Sequence, residues 1–460
     1  MTDLVLAGGT VVTAAGAMVA DVAVAGERIE AIGPGLAAQG ARVGAEIVDA
    51  AGMVVLPGVV DVHTHLRVPT ADEPDRFHRD TVAAALGGTT TVLTFNNPGT
   101  GISDDGARSL RAGLHEFRAA TAGESAIDYG LCAVLSGGQP DPIGELPGLI
   151  SAGVPTFKAF MVYDFRLPDD RLEESMRVAA RHGGMLQVHC EEPSIIGPLI
   201  ERALAEERTG PRHHAITRPT AAEAAATRKA IEMARRVEAP LYIVHLSCAD
   251  ALDEVASAKA RGQPVYAETC PHYLRLTEAL YDDPDEAQVI RRVISPPLRS
   301  ERDVDALWQG LRDGVLDIVA SDHVPDRLDR EKRLPAPPFP QISNGAPGIE
   351  TLLSVVYSEG VAKGRIGLER MVEVLARKPA QLFGLPRKGK LEVGADADLV
   401  ILDPGASRTL RQADLHHTSD FTPYEGLPVR GAVVSTWSRG RRVTETSRAG
   451  HFIERQPRAT

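Results

Sequence analysis

Six side chains in this sequence have the types and positions needed to hold metal cations and activate water. His63 and His65 are one residue apart at the end of the apolar run "MVVLPGVVDVHTH" (53–65). In an extended strand, residues i and i+2 point to the same side, so both imidazoles can face one cation. Lys158 lies in "PTFKAFMVY" (155–163), His189 in "MLQVHCE" (185–191), His245 in "PLYIVHLS" (240–247) and Asp322 in "DIVASDH" (317–323). Taken singly, each has an ordinary reading. A His-x-His pair is often two unrelated histidines, a lone strand histidine is usually structural, and an aspartate before a helix is commonly an N-cap. Their joint placement points elsewhere, because every member sits on an apolar strand and five different strands contribute.

Lys158 is the unusual member. A lysine between Phe157 and Ala159 on a core strand is costly to bury charged, so burial should depress its pKa. A neutral amine can take up carbon dioxide as a carbamate, an anion able to serve two cations. The competing reading is a buried ion pair with a carboxylate.

The elements that must position these groups alternate strand with helix, the pattern of a parallel α/β fold. Eight strand candidates run over 53–65, 89–97, 127–136, 155–163, 185–191, 240–247, 264–270 and 317–323. Helical stretches such as "AAEAAATRKAIEMARRV" and "ADALDEVASAKARG" separate them, the second closing on Gly262 as a C-cap. Eight such units make a (β/α)₈ TIM barrel, whose chemistry sits at the C-terminal ends of its strands. A doubly wound open sheet is the alternative, but no G-x-G-x-x-G follows the first strand.

Both ends of the chain are instead rich in short strands. "DLVLAGGTVVT" is read with a Gly-Gly turn and "DVAVAGERIEAIGPG" as a hairpin; "ADADLVILDP" and "VRGAVVSTWSRGRRVTE" echo them near the end. The expected organisation is a small composite β-sandwich domain from residues 1–55 plus 388–445, a barrel over 56–387 and a tail over 446–460. The charged, proline-rich stretch 325–348 follows the last barrel strand. It is read as a lid at the barrel mouth or as a plain surface loop.

The bulk numbers limit the partners. The 460 residues carry a net charge of −12, which argues against nucleic acid and anionic membranes, both of which need a basic surface. No apolar run approaches the ~20 residues that span a bilayer, and the N-terminus lacks signal-peptide character. Cys132, Cys190, Cys248 and Cys270 form no C-x-x-C pair. They are read as packing residues of a reduced, cytoplasmic protein.

The set "DVHTHL", "FKAFM", "VHC", "VHLS" and "SDH" resembles the amidohydrolase superfamily. Within it, the chain is similar to the cyclic amidohydrolases: hydantoinases and dihydropyrimidinases, allantoinases and dihydroorotases. The resemblance runs from "GGTVVT" to "GADADLVILDP" and "FTPYEG". It implies two divalent metal ions, with His63, His65 and Asp322 on one, His189 and His245 on the other, and Lys158, carbamylated by carbon dioxide to N6-carboxylysine, on both. Such ligands suit Zn2+, with Mn2+, Co2+ or Fe2+ as alternatives. The implied reaction opens a small cyclic amide or ureide with activated water. Asp322 shuttles the proton and Tyr163, five residues after the lysine, binds the oxyanion. A homotetramer or homodimer is also implied.

The signals for the substrate diverge. Arg67 in "HTHLR" and Asn97 in "FNNPG" resemble the dihydroorotases, where such an arginine pairs with the substrate carboxylate. Arg67 could equally pair with Asp72, Glu73 or Asp75 at the rim. Tyr163, Ser295 in "ISPPLR" and Asn344 in "SNGAPG" resemble the residues with which hydantoinases read the imide edge of their ring; the competing readings are a plain barrel-rim aromatic for Tyr163 and simple loop formers for Ser295 and Asn344. "VHCEE" and "ETCPHYL" look allantoinase-like. The favoured reading is a hydantoinase or dihydropyrimidinase-like enzyme. A barrel hydrolase of esters or phosphotriesters is more distant. A non-catalytic scaffold of the dihydropyrimidinase type remains the alternative of another class.

Overall fold

A computed structural model describes residues 2–96, 109–139, 141–333, 335 and 337–458. Its centre is an eight-stranded parallel sheet in which each strand pairs with the next along the chain. The strands are β1 (Val59–Thr64), β2 (Thr89–Asn96), β3 (Asp128–Val134), β4 (Thr156–Phe160), β5 (Met185–His189), β6 (Leu241–Ile243), β7 (Val265–Thr269) and β8 (Ile318–Val319). A parallel bridge from Thr64 to His323 and the 2.7 Å bond from the His65 amide to the His323 carbonyl bring the last strand back to the first. All eight strands fall within the segments expected from the sequence. They are buried along nearly their whole length because a parallel sheet is covered on both faces.

The helices that cover it follow the periodicity. Thr220–Arg236 presents Ala226, Ala230, Ile231 and Ala234 to the core, and Ala249–Ala260 presents Ala251, Leu252, Val255 and Ala258. Gly262 adopts φ 77 beyond the second helix, as its C-terminal reading required.

Strands from both ends of the chain share one continuous mixed sheet. Leu4–Thr13, Gly16–Ala25, Arg28–Gly33, Glu46–Asp49 and Val54–Pro57 join Leu399–Thr409, Pro428–Ser438 and Arg441–Arg442. The Gly8-Gly9 pair is not a turn. The strand runs through it with a register shift, Gly8 takes φ 72, and a Cβ on Gly9 would lie 2.6 Å from Val55. Glycine is needed there for a bulge and a close approach. Residues beyond Arg442 return to the barrel, where the Tyr129 and Ile453 backbones bond and Arg455 is buried. Among the described residues, no helix is long and apolar enough to cross a membrane.

Candidate metal centre and active-site cavity

The six expected donors come together at the C-terminal ends of five strands. His63 is within β1 and His65 just past it. Lys158 lies in β4, His189 closes β5, His245 follows β6 and Asp322 follows β8. All six line a cavity of about 780 Å³. Nε2 of His63 and His65 stand 3.0 and 3.4 Å from Asp322 Oδ1. Nδ1 of His189 and Nε2 of His245 are 2.9 Å apart, and Lys158 Nζ is 3.3 Å from His63 Nε2.

The backbone makes this convergence possible at a cost. Asp322, His245 and Tyr163 adopt φ of 49, 38 and 77, a left-handed conformation unfavourable by roughly 1–2 kcal/mol for a residue with a Cβ. Strain of this kind persists where surrounding structure holds it, and it clusters at active sites.

Two carboxylates that the sequence reading passed over orient the histidines. Glu268 on β7 grips His63 Nδ1 and accepts the Tyr242 hydroxyl at 2.6 Å. Glu191 takes His189 Nε2 at 2.7 Å and is itself paired with Arg218. Each contact leaves the opposite ring nitrogen facing the centre, the arrangement by which second-layer acids orient metal-ligating histidines. A buried acid inside an apolar strand was the available signal for Glu268; Glu191 stood in the quoted "VHCEE". Arg299 of "SPPLR" is also buried, bonding Glu223 at 2.9 Å and the Arg218 carbonyl at 2.6 Å.

Electrostatics set the protonation states. Burial pushes the Lys158 amine down to about 8, against the opposing pull of Asp322 and Glu268. No carboxylate pairs with Lys158 among the described residues; its ammonium lies over the Phe95 and Phe160 rings at 4.6 and 5.2 Å. Burial raises the Asp322 carboxyl, but the His63, His65 and His245 rings outweigh it and hold the group well below the usual carboxylate range. Burial pushes the Tyr163 hydroxyl up, with Arg218 opposing.

The donors fit a cation: ligand atoms of His63, His65 and Asp322 all lie within 4.8 Å of one another. Asp322 also groups in this way with Cys270 and His272. All four cysteines are free and buried.

In the same cavity, the Tyr163 hydroxyl meets Ser295 and Asn344, and its ring lies 5.6 Å from that of His189. Among the described residues Asn344 Oδ1 is buried without a hydrogen-bond partner, and Ser295 Oγ meets His214 Nε2 at 3.1 Å. Arg67 lines the same cavity, but its rim partners differ from those expected. It bonds Asp326 at 2.8 Å, Glu331 at 2.6 Å and the Pro325 carbonyl at 3.0 Å. Neither Asp72 nor Asp75 holds it; Glu73 pairs with Arg76, Arg327 and Arg330. The acids that reach Arg67 lie on the connection after β8, which supplies Asp326, Glu331, Pro340, Ser343 and Asn344 to the cavity lining. Asn97 lies outside the described residues.

A parallel barrel with histidines, a lysine and an aspartate gathered at its strand ends defines a barrel hydrolase whose site can bind metal. The chain belongs to the amidohydrolase family, whose model matches residues 54–443. It is 39% identical over 422 residues to a D-phenylhydantoinase of Escherichia coli O1:K1 / APEC, covering 90% of each chain. It is 38% identical to a D-hydantoinase of Ralstonia pickettii, covering 96% of this chain and 95% of that one. The crystal structure of a dihydropyrimidinase from Brevibacillus agri NCHU1002 superposes with a TM-score of 0.92 at 38% identity, covering both chains fully.

Proposed function

We propose that this enzyme hydrolyses a neutral cyclic ureide or imide of the hydantoin and dihydropyrimidine type. The observation that carries the reading is that Tyr163, Ser295 and Asn344 line the same cavity as the donor cluster. The scissile carbonyl can then lie between the donors and Tyr163, whose ring is 5.6 Å from that of His189, while Ser295 and Asn344 meet the rest of the imide.

His63, His65 and Asp322 would hold one divalent cation, His189 and His245 a second, and Lys158 as its carbamate would serve both. The amine lowered by burial and the lack of a carboxylate partner among the described residues support the carbamate; zinc suits the nitrogen and oxygen donors. Such cations supply Lewis acidity and a lowered pKa for water. The ionised Asp322 accepts the proton of the attacking water and hands it to the ring nitrogen as the C–N bond breaks. Tyr163, kept protonated by burial, donates to the oxyanion that forms at the carbonyl. Ser295 and Asn344 hold the imide edge, Asn344 through its unpartnered Oδ1.

The Arg67 contacts weigh against dihydroorotate, because two carboxylates already neutralise its guanidinium. The complete donor set weighs against a non-catalytic scaffold. A cytoplasmic homodimer or homotetramer completes the reading, with sedimentation as its check. The test of function is turnover of hydantoin, dihydrouracil, allantoin and dihydroorotate by protein supplied with zinc and bicarbonate. The expected order places the first two far ahead. Turnover of none, with no bound metal, would refute the proposal.

A further inference from the structure

Lys332 is fully buried, and the chemistry above makes no use of it. Its Nζ donates to the Val293 carbonyl at 2.8 Å and to the Ser343 carbonyl at 2.7 Å. These acceptors belong to two different connections. Val293 lies two residues before Ser295 in the segment between β7 and β8, and Ser343 immediately precedes Asn344 after β8. The ammonium therefore cross-links the two loops that carry Ser295 and Asn344.

The rest of each loop is organised around this link. His214 meets the Ile294 carbonyl at 2.9 Å and Ser295 Oγ at 3.1 Å, so residues 293–295 are held at three successive positions. On the other side, the Ser343 amide donates to the Glu331 carbonyl at 3.4 Å. Hydrogen bonds from a charged donor are stronger than neutral ones, and an ammonium offers three donors in a compact group. Asp326 and Glu331 attract the ammonium, while burial pushes it down to about 8. Both carboxylates are shared with Arg67, the Phe421 ring lies 5.9 Å from Nζ, and the Lys332 charge reaches His214. Val293 packs separately with Ile290, Phe339 and Ile342, so the loops keep an apolar contact when the ammonium is removed.

We propose that Lys332 is a positioning residue: by joining the Val293 and Ser343 carbonyls it sets the spacing of Ser295 and Asn344 and gives the site its selectivity for rings with an imide edge. The inference rests on the reading of Ser295 and Asn344 as substrate contacts.

The test compares Lys332→Met, which keeps the apolar stem, with the parent enzyme, both fully loaded with metal. Turnover of hydantoin is followed, with succinimide as a competing substrate, whose inhibition constant reports its own KM, and 2-pyrrolidinone as a competing lactam. These two rings share their size and differ by one carbonyl. KM for hydantoin and the inhibition constant for succinimide are expected to rise about tenfold, with kcat within about twofold and lactam binding unchanged. Lys332→Gln, which retains donors, should fall between the two and serves if the methionine variant does not fold. Equal weakening of imide and lactam, or no weakening of either, overturns the inference. Ser295→Ala and Asn344→Ala separate the two levels. If they weaken the imide selectively and the Lys332 variants do not, the inference alone fails. If they too treat imide and lactam alike, the substrate-contact reading fails and the inference falls with it.

Discussion

Glu268 grips Nδ1 of His63, so Nε2 is the nitrogen left to face Asp322, 3.0 Å away. The acid is fixed in turn by the Tyr242 hydroxyl at 2.6 Å and the His245 amide at 3.2 Å. Loss of a second-layer acid typically costs 10–100-fold in metal affinity or activity. Glu268→Gln is therefore expected to weaken metal retention by about that factor, measured by competition with a chelator. Retention equal to the parent would show that His63 needs no such partner.

Among the described residues Lys158 has no carboxylate partner, and burial lowers its amine to about 8. Lys158→Met should bind at most one tightly held cation and lose nearly all turnover. The parent should carry a mass increment of one carbon dioxide when handled natively, and its two-metal loading should depend on bicarbonate. Full loading of the methionine variant would remove the carbamate from the account.

Arg67 is occupied by Asp326 and Glu331. Arg67→Met should therefore leave those acids unbalanced and lower kcat/KM for hydantoin and dihydroorotate by similar factors. A loss confined to dihydroorotate would instead assign the arginine to a substrate carboxylate.

Arg455 lies in the tail, at the barrel end away from the donor cavity. It donates to the Leu131 carbonyl at 2.6 Å and to Thr156 Oγ1 at 2.8 Å. Arg455→Met is expected to cost about 1–3 kcal/mol of stability with kcat and metal content unchanged. Thermal unfolding and steady-state kinetics check this together, and a kcat loss without a change in Tm would contradict it.

His417 is held neutral, its pKa pushed down to about 3 by burial beside His323. The unfolded chain takes up a proton near pH 6.5 that the native state refuses. The stabilising effect is thus complete above that pH and is lost as pH falls towards 3. At pH 5 the loss is about 2 kcal/mol. His417→Gln should flatten the dependence of stability on pH in this window by close to one proton. Comparing variant with parent cancels acid-driven metal loss, and identical slopes would show that His417 titrates normally.

The sequence alone determined the barrel and the candidate donors that meet at its mouth, because both are written locally. Apolar runs of strand length alternate with helical periodicity, and the donor residues fall at the ends of those runs. A strand's alternation puts His63 and His65 on one side whatever the rest of the chain does. Other features needed the tertiary structure. The Gly8-Gly9 pair reads locally as a turn, yet it is a bulge because Val55 packs against Gly9. Nearby acids were natural partners for Arg67, but Asp326 and Glu331, more than 250 residues away, reach it because the ring of strands closes β8 onto β1. The partners of Glu268 and of Lys332 were hidden for the same reason. A charged residue's role depends on what is brought within hydrogen-bond distance of it, and chain closure decides that while local periodicity does not.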